Sequence, residues 1–258
     1  MTTKRMRFSL AIGALCSFAW SAHAQEGVRT QRTDVDDLGA LRYNDRRFES
    51  PQHVAIEFRF GRYIPNVDDE FSTATPYETT FGTDNRYSVG LEVDWQLWRI
   101  PYLGTLGPGI AFQYTKSSAP SFITATGARA GEDSNLNIFP MYLTAVLRAD
   151  YIARETPIPF VPYAKLGLGA ALWNVTNGGG VANAGGVRGS GLSLGPQFAL
   201  GGMLLLDVFD SSSAKSLDNE IGINNSYFFM EWYVSRLGAG DQMEVGTNTW
   251  VLGLAFEI

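Results

Sequence analysis

The chain has 258 residues, 45% of them hydrophobic and 18% charged, with a formal net charge of −6. An acid excess argues against nucleic-acid binding, which wants a basic face. The single cysteine, Cys16, sits in the first apolar run, so the rest of the chain has no disulfide framework.

Lys4, Arg5 and Arg7 precede an apolar stretch from Phe8 to about Trp20, and Ala22, His23 and Ala24 stand before Gln25. Charged, apolar, then small-x-small is the order of a secretory signal peptide, here cleaved after Ala24. The stretch is too short to span a bilayer as a helix. The leader takes three of the 20 basic residues and none of the 26 acidic ones, so the remainder carries 17 and 26, a net charge of −9. No later apolar run is long enough for a helical span, so any membrane crossing must be by strands paired into a closed sheet. Residues 25–50 are polar, carry both charges and show no strand period. They read as a solvated periplasmic N-terminal segment.

From residue 51 onward the pattern changes to alternation. Strands are predicted at about 53–64, 86–98, 104–116, 137–151, 160–173, 191–206, 225–236 and 248–258. The second is the cleanest: Tyr87, Val89, Leu91, Val93, Trp95 and Leu97 alternate with Ser88, Gly90, Glu92, Asp94 and Gln96. In the last, Trp250, Leu252, Leu254, Phe256 and Ile258 share one face, against Val251, Gly253, Ala255 and Glu257. A soluble strand buries its bulky face and exposes a wet one. Here the second face is too small to solubilise, which suits lipid outside and a crowded barrel interior. The fold expected is all-β: an eight-stranded antiparallel up-and-down transmembrane β-barrel over 51–258.

Connections after the first, third, fifth and seventh strands are long (65–85, 117–136, 174–190, 237–247). Those after the second and fourth are short (99–103, 152–159). Short periplasmic turns and long extracellular loops alternate in this way, and an even strand count puts both termini in the periplasm. The connection 207–224 breaks the rule; from Asp210 to Leu217 it reads as a capped helical turn.

A stretch around that long turn resembles a known family. Leu205-Leu206-Asp207, Ser212 to Asp218, Gly222-Ile223-Asn224 and Tyr227-Phe228-Phe229-Met230-Glu231-Trp232 are similar to a family of outer-membrane β-barrel proteins found mainly in myxobacteria and their relatives. Ser50-Pro51-Gln52 leading into Glu57-Phe58-Arg59-Phe60-Gly61, and the ending Gly253-Leu254-Ala255-Phe256, resemble that family's first and last strands. The resemblance spans about 50–258. It implies an outer-membrane barrel of undefined activity and supplies no catalytic residue.

The candidate site is a set of interior charges. Glu57, Arg59, Glu92, Asp94, Arg148, Asp150, Lys165, Asp207, Glu231 and Glu257 all fall opposite the lipid pattern. A charge facing lipid at the midplane costs a few kcal/mol, so these point inward. An eight-stranded interior is just filled by its side chains, so acids and bases there should pair, centred on Arg59, Arg148 and Lys165. A salt-bridged plug follows; a narrow gated pore is the other reading, and with seven acids to three bases it would prefer cations.

Three other motifs are weaker. Gly191-Leu192-Ser193-Leu194-Gly195 has the letters of a nucleophile elbow, but strand continues on both sides, and after cleavage the only histidine, His53, lies at the periplasmic end. Asp68, Asp69, Glu70 and Asp84 match no calcium loop and read as a solvated acidic loop. Tyr87, Trp95, Tyr102, Tyr114, Tyr151, Trp173, Trp232 and Trp250 cluster towards strand ends as interfacial girdles.

The function read from sequence is therefore an integral outer-membrane barrel, structural or surface-displaying, with four loops outside and no enzyme chemistry. A small channel or conduit for ions or apolar small molecules is the alternative. No cofactor or metal is expected. The partners expected are outer-membrane lipid, lipopolysaccharide and, through the C-terminal strand, the barrel-assembly machinery; an oligomer is not implied.

Overall fold

The computed structural model describes residues 53–122, 129–156, 158–178, 180–184, 186–208, 222–238, 240 and 242–258. The expected signal peptide, the segment 25–50 and the helical turn from Asp210 to Leu217 lie outside these residues.

Eight strands wrap into a closed antiparallel sheet. They are β1 (Val54–Arg62), β2 (Tyr87–Trp95), β3 (Gly104–Phe122), β4 (Arg129–Arg148), β5 (Phe160–Asn177), β6 (Ser190–Leu205), β7 (Asn225–Ser235) and β8 (Thr247–Glu257). Each pairs with its sequence neighbours, and β8 returns to β1 through pairs such as Phe58 with Leu254. Backbone donors and acceptors along the wall are thereby used up, which is what a strand must achieve away from water.

The alternation of residue types sets which side is which. Large apolar side chains stand on the outside: Leu168 is 72% exposed and Leu166 65%. Leu91, Leu252 and Leu254 are exposed with them. Charged side chains stand inside: Glu57 is 0% exposed and Lys165 1%. A soluble protein has the opposite arrangement.

The strands extend further than the alternation alone predicts. The expected loop 117–136 is largely a continuation of the β3–β4 hairpin, with Ser117 opposite Leu136 and Pro120 opposite Asp133. The expected loop 174–190 holds the end of β5 and short paired segments, including Asn183 opposite Arg188. Neither stretch carries a continuous apolar outer face, so no hydrophobic period marks it. The turn 99–103 begins with a three-residue edge strand, Trp98–Ile100, paired to β3. The turn 152–159 contains a short helix, α2 (Tyr151–Glu155), and the first long loop contains α1 (Pro76–Phe81).

At the long-loop end, two connections fold inward over the mouth. Tyr63 donates its hydroxyl to the Val245 carbonyl at 2.6 Å, and Thr247 Oγ1 donates to the Ile64 carbonyl at 2.9 Å. Tyr77 Oη and Ser117 Oγ lie 2.7 Å apart. Tyr63, Tyr77, Tyr142, Tyr233, Leu237 and Val245 form one buried cluster there.

Candidate functional site: the charged barrel interior

Three cations hold the interior together. Lys165, from β5, places Nζ 2.5 Å from Glu57 Oε2, 2.8 Å from Glu92 Oε2 and 3.9 Å from Glu231 Oε2. Arg148, at the end of β4, reaches Glu57 Oε1 at 2.9 Å, Asp94 Oδ2 at 2.5 Å and Glu257 Oε1 at 3.8 Å. Arg59, from β1, bridges Glu92 and Glu231 and stands 3.4 Å from Glu57 Oε2. Each cation thus ties carboxylates from at least two other strands. Bridged in this way, buried charges offset the desolvation that would otherwise expel them.

Eight of the ten expected residues are brought together: Glu57, Arg59, Glu92, Asp94, Arg148, Lys165, Glu231 and Glu257. Asp150 and Asp207 are not among them. Asp150 lies past the end of β4, at the position just before α2, where its side chain makes no capping bond and faces Arg99 at 3.7 Å and Arg154 at 3.4 Å. Burial pushes its carboxyl up, against the pull of Arg154 and Arg99. Asp207 sits in the turn after β6 and accepts from the Ser226 hydroxyl at 2.6 Å. Strand parity cannot tell a last inward residue from the first residue of a turn, and both aspartates sit at that boundary.

Neutral groups complete the network. Tyr163 donates to Glu231 Oε2 at 2.8 Å, Tyr227 to Glu257 Oε2 at 2.9 Å, and Gln96 Nε2 to Glu257 Oε1 at 2.6 Å. The only signal that could have found them is that they share the inward face of their strands. Gly109 makes room: a Cβ there would stand 2.1 Å from Asp94 Oδ1 and 2.6 Å from Thr144 Oγ1. Glu57, Glu92 and Asp94 have carboxylate oxygens within 4.8 Å of one another. Lys165, Arg59 and Arg148 already occupy the space among them.

The weaker motifs resolve into structural roles. Ser193 is buried; its hydroxyl donates to the Met243 carbonyl at 2.6 Å and accepts from Trp173 Nε1 at 3.0 Å. Trp173, expected in the girdle, is therefore turned inward, as its place beside Gly169 and Gly167 on that face requires. Tyr102 and Tyr151 contact each other edge-on at one rim, while Tyr87 stacks on Phe60 towards the other. Asp68 accepts from the backbone N–H groups of Tyr77 at 2.6 Å and Glu78 at 3.0 Å, and Glu70 accepts from that of Glu244. Two of the four loop acids thus fasten loops.

A cylinder closed by backbone bonds, apolar outside and charged within, is a transmembrane β-barrel of the outer-membrane type. Three solved structures similar to this chain belong to that class. The attachment invasion locus protein Ail of Yersinia pestis, in complex with the heparin analogue sucrose octasulfate, is 12% identical, with 82% of this chain and 100% of that one aligned at TM-score 0.40. The outer membrane protein OprG from Pseudomonas aeruginosa is 11% identical, covering 81% and 97%, at TM-score 0.46. The N-terminal β-barrel domain of Pseudomonas aeruginosa OprF is 12% identical, covering 81% and 100%, at TM-score 0.39. No family model matches the chain, and no curated protein matches it.

Proposed function

We propose that this is a sealed, non-catalytic outer-membrane barrel whose role is structural or surface-displaying, with its long loops outside. The observation that carries the reading is the interior itself: three cations each tie several carboxylates across the lumen, and beyond them Tyr63, Tyr77, Tyr142, Tyr233, Leu237 and Val245 form a buried cluster. The Ser193 hydroxyl is engaged by a carbonyl, and His53 lies exposed at the start of β1, which supports the non-catalytic part.

The same proposal includes a signal peptide cleaved after Ala24, a periplasmic segment over 25–50 and the barrel from 51 to 258. It also includes contact with lipopolysaccharide, recognition of the C-terminal strand by the assembly machinery, and membership of the myxobacterial-type family suggested by the stretch around 205–232. One observation favours a small cation-preferring channel as the second reading. Five carboxylates face three cations in the lumen, a formal excess of two negative charges. Planar-bilayer recording separates the two: a flat trace at every voltage is expected, and discrete steps that favour cations would overturn the sealed reading.

A further inference from the structure

We infer that the outer face of β1–β3 carries a binding site for the phosphorylated head group of an outer-leaflet lipid, formed by Arg62, Tyr87 and Lys116. The inference rests on the membrane reading above and on the long-loop end facing out.

The register places these three side chains in one row. Arg62 is paired with Tyr87, and Lys116 lies one residue beyond the Ser88–Thr115 pair, so it flanks Tyr87 from the other side. All three are exposed. Two strand spacings separate Arg62 from Lys116, about 10 Å, which both long side chains can close upon a group between them. The row one step towards the short turns is Phe60, Val89 and Tyr114, again in register and exposed. It belongs to the apolar belt. The two cations therefore stand about 7 Å further along their strands than that row, on its long-loop side, with the exposed ring of Trp250 next to Arg62.

Neither cation has a carboxylate within ion-pair distance or a side-chain hydrogen bond among the described residues. The opposite rim differs. There Arg99 and Arg154 both face one carboxylate of the protein itself, that of Asp150. An acid-rich chain that leaves two neighbouring cations unpaired on a lipid-facing surface presents them to an external anion. Continuity with the belt makes that anion amphiphilic. Tyr87, stacked on Phe60, offers an amphipathic ring between the two cations.

The test uses the barrel folded into phosphatidylcholine vesicles doped with a minority of diphosphoryl lipid A. Vesicles are then extracted in detergent, and retained lipid A is counted by native mass spectrometry. Each surface cation is worth about 1 kcal/mol against an anionic layer, so R62Q/K116Q should lower retention about thirtyfold. R62K/K116R should keep it, as should R99Q at the other rim. Added salt should weaken retention by the wild type, a readout that does not depend on any variant folding. Equal retention by wild type and R62Q/K116Q, both folded by heat-dependent gel mobility, overturns the site. So does displacement by inorganic phosphate at the same concentration as lipid A, which would mean the lipid moiety contributes nothing. If brominated lipid fails to quench tryptophan in the wild type, the barrel is not in the bilayer and the membrane reading itself falls.

Discussion

Replacing Lys165 with methionine tests whether the lumen is dry. The change keeps most of the side-chain length and deletes only the ammonium. At an effective dielectric constant of about 20, the contacts to Glu57, Glu92 and Glu231 are each worth about 4–7 kcal/mol gross. Desolvation of the ammonium and repulsion from Arg59 cancel most of that. What remains on breaking a buried pair is about 3–5 kcal/mol, because the carboxylates are left short of compensation. Glu92 would keep Arg59 and the Thr144 hydroxyl at 3.4 Å; Glu231 would keep Arg59 and Tyr163. In a water-filled pore the same deletion would cost about 0–1 kcal/mol, since exposed pairs are screened. Urea unfolding in lipid vesicles, followed by tryptophan fluorescence, measures the difference. The double variant K165M/E57Q removes one positive and one negative charge and should recover much of the loss. A K165M barrel within about 1 kcal/mol of wild type would refute the dry, charge-locked interior.

Further outcomes follow from other parts of the wall. G109V places carbon against Asp94 Oδ1 and Thr144 Oγ1 and should destabilise by about 1–3 kcal/mol in the same unfolding assay. L168R puts a charge at a position that is 72% exposed; facing lipid it should cost about 2–4 kcal/mol in vesicles, whereas a water-facing site would show about half a kcal/mol or less. Burial holds the Tyr77 hydroxyl above the ordinary tyrosine value, against the pull of its bond to Ser117. Its stabilising contribution is therefore complete below about pH 10 and lost as pH rises through the higher folded value. Ultraviolet titration of wild type against Y77F should show one late-ionising phenol, and protease sensitivity of the first long loop should rise in step with it.

Alternation in β1, β2 and β8 was legible because each of these strands has one greasy and one polar or small face, and parity then assigns every side chain; in β7, whose inner face holds Tyr227, Phe229 and Tyr233, Glu231 gave the parity. It assigned the charges of β1, β2, β5 and β7 to one interior without any knowledge of distance. Parity says nothing about height along the axis. Asp150 and Asp207, at strand ends, stand outside the ion-paired set for that reason, and Trp173 was read as girdle because a tryptophan near a strand end looks the same on either face. The extensions of β3 beyond Lys116 and of β4 ahead of Asn137 were invisible because Ser118, Pro120, Asp133 and Asn135 give alternation no apolar outer face to mark. Their pairing comes from the hairpin itself. Pairing partners such as Tyr163 with Glu231 needed the closed register, which brings together residues 68 apart in the chain.

The charge lattice draws on β1, β2, β4, β5, β7 and β8, so no hairpin on its own contains it. Glu257 belongs to the last strand, whose seam with β1 shuts the ring. Apart from the bonds of Arg59 to Glu57 and Glu92, which lie within the β1–β2 hairpin, the bridges join strands from across the ring and are not complete before that seam forms. Once it forms they act as a latch thrown at the final step. Interactions absent from the rate-limiting state slow opening and leave closing unchanged, so the lattice would prolong the life of an inserted cylinder while leaving the speed of its construction to the strands.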